Sequence, residues 1–301
     1  STSGSTGVPK SVILSHRNII DFIEWATNTF TFDKSDVIGS LSPFHFDIYI
    51  LELFISLSKG SVIHIIPPKE SVFPTDLVNF LLNNNVTFIF WVPTIMVNIS
   101  NLNILDSVEL TKLKKVFFAG EVFPAKHLNY WRSKIPGAQF VNLYGPIEIA
   151  VDCTYYIVRR MFEDGESVPI GKPCRNTDII ILNSNNQPVS EGEQGELCVR
   201  GSSLSLGYYN NLDQTNKVFV QNPLNKSYPE KIYRTGDLVY LNAKKEIMFI
   251  GRKDFQIKHM GYRIELLEIE LAVLALQEIK NACILYNNSL KQIIMIFESE
   301  I

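Results

Sequence analysis

The chain opens on residues suited to holding a polyphosphate: Ser1-Thr2-Ser3-Gly4-Ser5-Thr6-Gly7-Val8-Pro9-Lys10 combines hydroxyl donors, glycines and a closing lysine. Glycine lets the backbone approach phosphate oxygens, Ser and Thr hydroxyls donate to them, and lysine adds a compact positive charge. From Gly4 to Ser11 the run follows the P-loop pattern G-x-x-x-x-G-K-[ST] except at Pro9. Proline has no N–H and a fixed φ where that loop needs a donor and backbone freedom, so a P-loop NTPase is a poor reading. By composition alone the run also fits a flexible Ser/Gly-rich leader. No strand precedes it, so the chain is expected to begin partway through a larger protein.

Three further clusters carry chemistry. Asn142-Leu143-Tyr144-Gly145-Pro146-Ile147-Glu148 sets an aromatic face, fit for a base, beside a turn whose glutamate offers a hard oxygen to Mg²⁺. Tyr233-Arg234-Thr235-Gly236-Asp237 reads as an exposed turn with a carboxylate for ribose hydroxyls, or equally as a plain Gly-Asp turn ending a strand. Gly251-Arg252-Lys253-Asp254-Phe255-Gln256-Ile257-Lys258, followed by Gly261-Tyr262-Arg263-Ile264-Glu265, reads as a charged linker or hinge.

The elements that must position these groups fall into three stretches. Over residues 1–167 short apolar runs (Val12–Leu14, Val37–Ser40, Ser61–Ile66, Val86–Trp91, Lys115–Ala119) alternate with helical patterns near Asn18–Thr29, Ile48–Leu57, Pro74–Asn83, Thr94–Asn98 and Ala125–Lys134. That alternation predicts an α/β layer with a mostly parallel sheet. Over residues 168–253 strands at Asp178–Leu182, Gly195–Arg200, Val239–Leu241 and Glu246–Ile250 are separated by Gly/Pro/Asn turns, which predicts a β-rich subdomain. Residues 254–301 hold a helix (Glu265–Ala275) and strands (Ala282–Tyr286, Gln292–Glu298), the start of a small, truncated α+β domain.

Composition narrows the function classes. With 46% hydrophobic and 20% charged residues and a net charge of -3, the chain is globular and lacks a basic stripe for nucleic acid. Cys153, Cys174, Cys198 and Cys283 have no C-x-x-C spacing, which predicts reduced core thiols rather than a zinc site or redox pair. No signal pattern and no apolar run of about 18 residues is present, so membrane insertion is not expected and the reading is cytoplasmic.

Taken in order, these motifs resemble those of the adenylate-forming ligases, which include peptide-synthetase adenylation domains, acyl-CoA synthetases and luciferases. The resemblance runs through Ser3–Lys10, Asn142–Glu148, the strand Gly195-Glu196-Leu197-Cys198-Val199-Arg200-Gly201, Tyr233–Asp237 and Gly251–Glu270. Phe118-Ala119-Gly120-Glu121-Val122-Phe123-Pro124 and Asp254–Lys258 look most like D-alanine–carrier protein ligases, with amino-acid-activating synthetase domains close behind. The resemblance implies use of ATP and Mg²⁺. Thr2, Ser3, Gly4, Ser5, Thr6, Gly7 and Lys10 would hold the β/γ-phosphates, Tyr144 and Gly120-Glu121 would sandwich adenine, and Asn142 and Gly145 belong to the same nucleotide motif. Glu148 would bind the metal, Asp237 the ribose, and Arg252 the ribose or hinge region, with Asp254 as the hinge and Gly261 on the thiol channel. Lys10 and Glu148 would be the catalytic pair.

By the same resemblance Asp47 would bind the α-ammonium of an amino acid, which argues against a fatty acid, although an N-cap role before Ile48–Leu57 is the competing reading. Ile48, Leu51, Phe90, Phe117, Ala119, Leu143, Val151 and Asp152 would form the rest of the substrate wall. Two inward phenylalanines favour a small side chain such as alanine, whereas Asp152 suits a polar or basic one. The product would pass to the pantetheine thiol of a phosphopantetheinylated carrier protein. The alternatives are an acyl-CoA or fatty-acid ligase and a catalytically impaired nucleotide-binding remnant.

Some positions depart from the family pattern. Ser11 replaces a glycine, Ala119 stands where D-alanine ligases carry cysteine, and neither Lys280 nor Lys291 sits in the context of the family's late lysine. Ile147 replaces a threonine whose hydroxyl contacts the α-phosphate. A hydrogen bond to a charged group contributes about 1.5–3 kcal/mol, or roughly 10- to 150-fold in rate. Ile147→Thr is therefore expected to speed adenylate formation by at least about tenfold. ATP–pyrophosphate exchange checks this, and an unchanged rate removes that role from the position.

Overall fold

The computed structural model of the chain describes residues 10–253, 256–276, 278–287 and 290–299. Its larger sheet is built from short strands, of which the central β3–β5 are buried on both faces: β1 (Val37–Ser40), β2 (Val62–Ile65), β3 (Phe88–Trp91), β4 (Lys115–Phe118), β5 (Gln139–Tyr144), β6 (Thr154–Ile157) and β7 (Lys172–Pro173). The spatial order is β2-β1-β3-β4-β5-β6-β7. Pairing is parallel from β2 through β5 and antiparallel from β5 to β7.

Side chains alternate across the sheet, and each face has its own helices. Ile89, Trp91, Val116, Phe118 and Phe140 pack with α4 (Pro74–Asn83), α5 (Pro93–Asn101) and α6 (Ala125–Lys134). Ile38, Phe88, Phe90, Phe117, Val141 and Leu143 pack with α1 (His16–Phe30) and α2 (Asp47–Lys59). The short α3 (Pro68–Val72) leads into α4. A capping box starts α1, with the Ser15 hydroxyl accepting from the Asn18 amide and Asn18 Oδ1 accepting from the Ser15 amide at 2.8 Å.

The second sheet is antiparallel: β8 (Thr177–Leu182), β9 (Gly195–Gly201), β10 (Phe219–Gln221), the long β11 (Lys231–Leu241) and β12 (Ile247–Arg252), with α7 (Leu212–Val218) between β9 and β10. After it come the hairpin β13 (Gln256–His259) and β14 (Tyr262–Glu265), then α8 (Leu266–Leu274) and the pair β15 (Ile279–Asn287) and β16 (Gln292–Ser299). The expected α/β layering and smaller β-rich part are thus the observed fold.

Four local expectations change. Val12–Leu14 is no strand, because Val12 makes only an isolated bridge to Tyr208. Tyr233–Asp237 is not an exposed turn but lies inside β11, where Gly236 at φ +74° falls within a register shift against β9 and Asp237 is buried. A glycine within a strand marks a bulge as readily as a turn. The supposed linker forms β13–β14, closed at Met260 and Gly261, both at positive φ as a two-residue I′-type hairpin turn requires. Three cysteines are buried as expected, but Cys283 is exposed on β15.

One buried acid stands out in α2. Glu52 is 0% exposed and takes a 2.5 Å hydrogen bond from the Ser40 hydroxyl, while its Oε1 has no hydrogen-bond partner. Burial pushes its pKa up to about 8 against the usual 4.5, so folding takes up a proton between those values. Its contribution is most favourable below the unfolded value and is lost as pH rises toward 8. Glu52→Gln is expected to stabilise the fold at pH 8, by on the order of 3 kcal/mol, and to change it little at pH 5. Urea unfolding at both pH values tests this; equal effects at the two would contradict it.

Candidate functional site

The carboxyl ends of the parallel strands bring the site together, because each chain segment leaving a strand there is free to turn over the sheet edge. Tyr144 ends β5, Ala119-Gly120-Glu121 follow β4, Thr94 follows β3, and Asp47 starts the helix after β1. Tyr144 meets the second sheet: its hydroxyl donates to Asp237 Oδ2. Arg252, cross-strand from Asp237, donates through Nη1 to Asp237 Oδ1 at 2.9 Å and to the Thr235 carbonyl at 3.1 Å. Burial and then the Asp237 charge push the Tyr144 pKa well above its usual value, so the phenol stays a donor. Each Asp237 oxygen carries a second lone pair able to accept a ligand hydroxyl.

Beyond Tyr144 the chain folds back on itself at Gly145, where a Cβ would lie 2.5 Å from the Cα of Asp152. That close approach requires glycine. It leaves Glu148 in the short 3₁₀ helix Ile147–Ile149, 0% exposed, with Oε1 accepting from the Tyr208 hydroxyl at 2.7 Å. Among the described residues no group of three or more His, Cys, Asp or Glu side chains is placed to hold a metal. One buried carboxylate nevertheless fits Mg²⁺, which takes one or two protein carboxylates and completes its shell with nucleotide phosphates and water. Lys10 has its ammonium 5.4 Å from the centroid of the Tyr208 ring. Thr2, Ser3, Gly4, Ser5, Thr6, Gly7 and Asp254 lie outside the described residues.

Two nucleotide-motif residues have structural partners. The Asn142 amide donates to the Pro169 carbonyl at 2.9 Å. Glu121 follows Gly120 at φ +89°, and its Oε2 accepts from the Thr94 amide at 2.9 Å and hydroxyl at 2.5 Å. Its Oε1 accepts from the Gly261 amide at 2.7 Å, so the carboxylate ties the β13–β14 hairpin to the large sheet.

The seven apolar wall residues Ile48, Leu51, Phe90, Phe117, Ala119, Leu143 and Val151 all fall in one buried cluster. Asp47 is not the N-cap, which is Phe46; it is the first helical residue, with Oδ1 accepting from the Ile48 amide at 3.0 Å. Asp47 keeps some exposed surface, yet its carboxyl is closely surrounded, and burial pushes its pKa up to about 6. The Ile48 amide and Lys258 oppose that shift and Glu148 adds to it. Asp152 is buried, its Oδ2 has no hydrogen-bond partner, and burial followed by the Asp47 charge raises its pKa well above the usual range. Lys258, which the sequence placed only in a charged linker, lowers both values and sits 5.5 Å from the Tyr144 ring centroid. Phe46 and Tyr262 stack edge to face at 5.3 Å beside it. The sequence signal for Lys258 was the density of charge in that segment; Thr94 and Tyr208 carried none.

Comparison with known proteins identifies the family and the fold. A profile of the family described as AMP-binding enzyme matches residues 2–209. Zwittermicin A synthase ZmaJ of Bacillus cereus is 32% identical over 309 residues, covering 99% of this chain and 58% of that protein. Tyrocidine synthase 1 of Brevibacillus parabrevis is 35% identical over 284 residues, covering 94% of this chain and 25% of that protein. The crystal structure of the Vibrio cholerae adenylation domain AlmE in complex with glycyl-adenosine-5′-phosphate superimposes with a TM-score of 0.85 at 28% identity, over 96% of this chain and 54% of that one. The chain thus spans little more than half of ZmaJ and a quarter of the tyrocidine synthase.

Only ionised Asp47 can pair with a cation. Binding of a cationic ligand at Asp47 is therefore expected to weaken as pH falls below about 6, approaching tenfold per pH unit. Asp47→Asn removes that dependence. Calorimetric titration of an amino acid from pH 5 to 8 is the check, and a flat profile in the unsubstituted protein would count against the assignment.

Proposed function

We propose that this chain, which belongs to the AMP-binding enzyme family, uses ATP and Mg²⁺ to activate an amino acid as its aminoacyl-adenylate for transfer to a carrier-protein pantetheine thiol. The observation that carries the reading is the convergence of Tyr144, Asp237, Arg252, Glu148 and Asp47 at the carboxyl edge of a parallel sheet, where α/β folds bind ligands. The glycyl-adenosine-5′-phosphate in AlmE is an aminoacyl-adenylate on a similar fold and supports the same chemistry.

In this reading the substrate carboxylate forms a bond to the α-phosphorus and the bond to the pyrophosphate oxygen breaks, with the electron pair leaving on pyrophosphate. No proton moves in that step. The protein therefore acts by placing charge and excluding water. Glu148 would hold the metal, whose charge would offset that of the phosphates, and Lys10 with residues 2–7 would hold the β/γ-phosphates. Asp237 receives the ribose hydroxyls, Tyr144 meets the base, and Asp47 fixes the α-ammonium. Phe90 and Phe117, two bulky members of the expected wall, favour a small side chain. A second reading, a substrate bearing a side-chain donor, rests on the unpartnered Oδ2 of Asp152, since buried polar atoms rarely lack a partner.

The test is ATP–pyrophosphate exchange by the full-length protein across amino acids, D-alanine included, with fatty acids alongside. Exchange with a small amino acid is expected, lowered about a hundredfold by Asp47→Ala. Exchange with fatty acids only overturns the amino-acid reading, and no exchange with any acid leaves the nucleotide-binding remnant.

A further inference from the structure

We propose that Tyr208 is a positioning residue that sets the Glu148 carboxylate and the Lys10 ammonium relative to one another and thereby governs how Mg·ATP is held. The inference rests on the reading above, in which Glu148 takes the metal and Lys10 the phosphates. Tyr208 acts through both of those residues.

The segment that carries Tyr208 is fixed from several directions. Val12 bridges Tyr208, the Ile13 amide donates to the Gly207 carbonyl at 2.9 Å, the Leu206 amide donates to the Ile13 carbonyl at 2.9 Å, and the Tyr209 amide donates to the Ser11 carbonyl at 2.8 Å. These bonds bind it to the residues immediately after Lys10. The Ser205 amide donates to the Glu148 carbonyl at 2.9 Å, binding the same segment to the metal-site turn. The Tyr208 amide donates to the Thr215 hydroxyl at 2.9 Å, and Gly207 at φ +113° lies so close that a Cβ would sit 2.5 Å from Thr215 Cγ2. Phe219 packs near-perpendicular to the Tyr208 ring at 6.2 Å between centroids.

With its backbone and ring held, the side chain presents two different groups to two different charges. The hydroxyl donates to Glu148 Oε1 at 2.7 Å, which orients the carboxylate. The ring face lies 5.4 Å from the Lys10 ammonium, within range of a cation–π attraction. At 5% exposure Tyr208 offers water little opportunity to compete for either contact. Partners that orient a metal-binding carboxylate typically affect metal affinity by about 10- to 100-fold.

The two groups are separable by substitution in the full-length protein. Tyr208→Phe keeps the ring and removes the donor, so Mg·ATP binding by calorimetry is expected to weaken about tenfold while binding of Mg-free ATP in EDTA changes less than twofold. Tyr208→Leu removes the ring as well and is expected to weaken both. The Tyr208→Phe/Glu148→Gln double variant should bind Mg·ATP no worse than Glu148→Gln alone, because in this proposal the phenol's effect on the metal runs through that carboxylate. A lowered melting temperature with equal losses for Mg·ATP and Mg-free ATP in both Tyr208 variants, or additive losses in the double variant, overturns the proposal. If Glu148→Gln alone leaves Mg·ATP binding unchanged, the underlying site assignment fails instead, whatever Tyr208 does.

Discussion

The Asp237 carboxylate is the joint on which the two sheets turn. A buried carboxylate is costly unless hydrogen-bonded and paired with positive charge, and here the partners arrive from both sides, Tyr144 from the end of β5 and Arg252 from β12. Arg252 sits in the same sheet as Asp237 and moves with it, so the bond that resists sliding of one sheet over the other is the one from the Tyr144 hydroxyl. The Asn142 amide on the Pro169 carbonyl and the Asn18 amide on the carbonyls of Ser202 and Leu204 stitch the same seam. Polar contacts at a seam fix register more tightly than apolar packing does, because they are directional.

That rigidity matters for the proposed reaction, in which no side chain exchanges a proton with substrate. Catalysis by placed charge requires groups already held where charge develops, and the cost of holding them is met during folding. Glu148, Asp152 and Asp47 crowd three carboxyl groups at one edge of the sheet, and burial raises the proton affinity of the two aspartates.

Much of the architecture was legible because it depends on short-range pattern. Strands buried on both faces read as continuous apolar runs, as Phe88–Trp91 and Lys115–Phe118 do, and α4 and α6 carried helical patterns whose limits, Pro74–Asn83 and Ala125–Lys134, match the sequence reading. What stayed hidden depends on distance. Glu121 reaches Gly261 across 140 residues, and nothing near either residue announces the other. Tyr208 looks like any tyrosine after a glycine until Glu148 is folded against it. The hairpin at Gln256–Glu265 was masked by its charges, which suggested solvent rather than a sheet. The wall from Ile48 to Val151 spread over too much sequence to be seen except through family resemblance, yet its apolar members share one core.

Lys258 adds a thermodynamic relation to this picture. It is the cation that moderates both Asp47 and Asp152, and it rides on a hairpin anchored to the large sheet through Glu121 and Gly261. Two carboxylates that share one cation respond to a second as competition for the same field. By reciprocity, any positively charged guest that loosens the grip of these aspartates on Lys258 is itself bound less tightly, by the same factor, while the hairpin stays down. Occupancy of the pocket and seating of the hairpin are then two readings of one electrostatic balance.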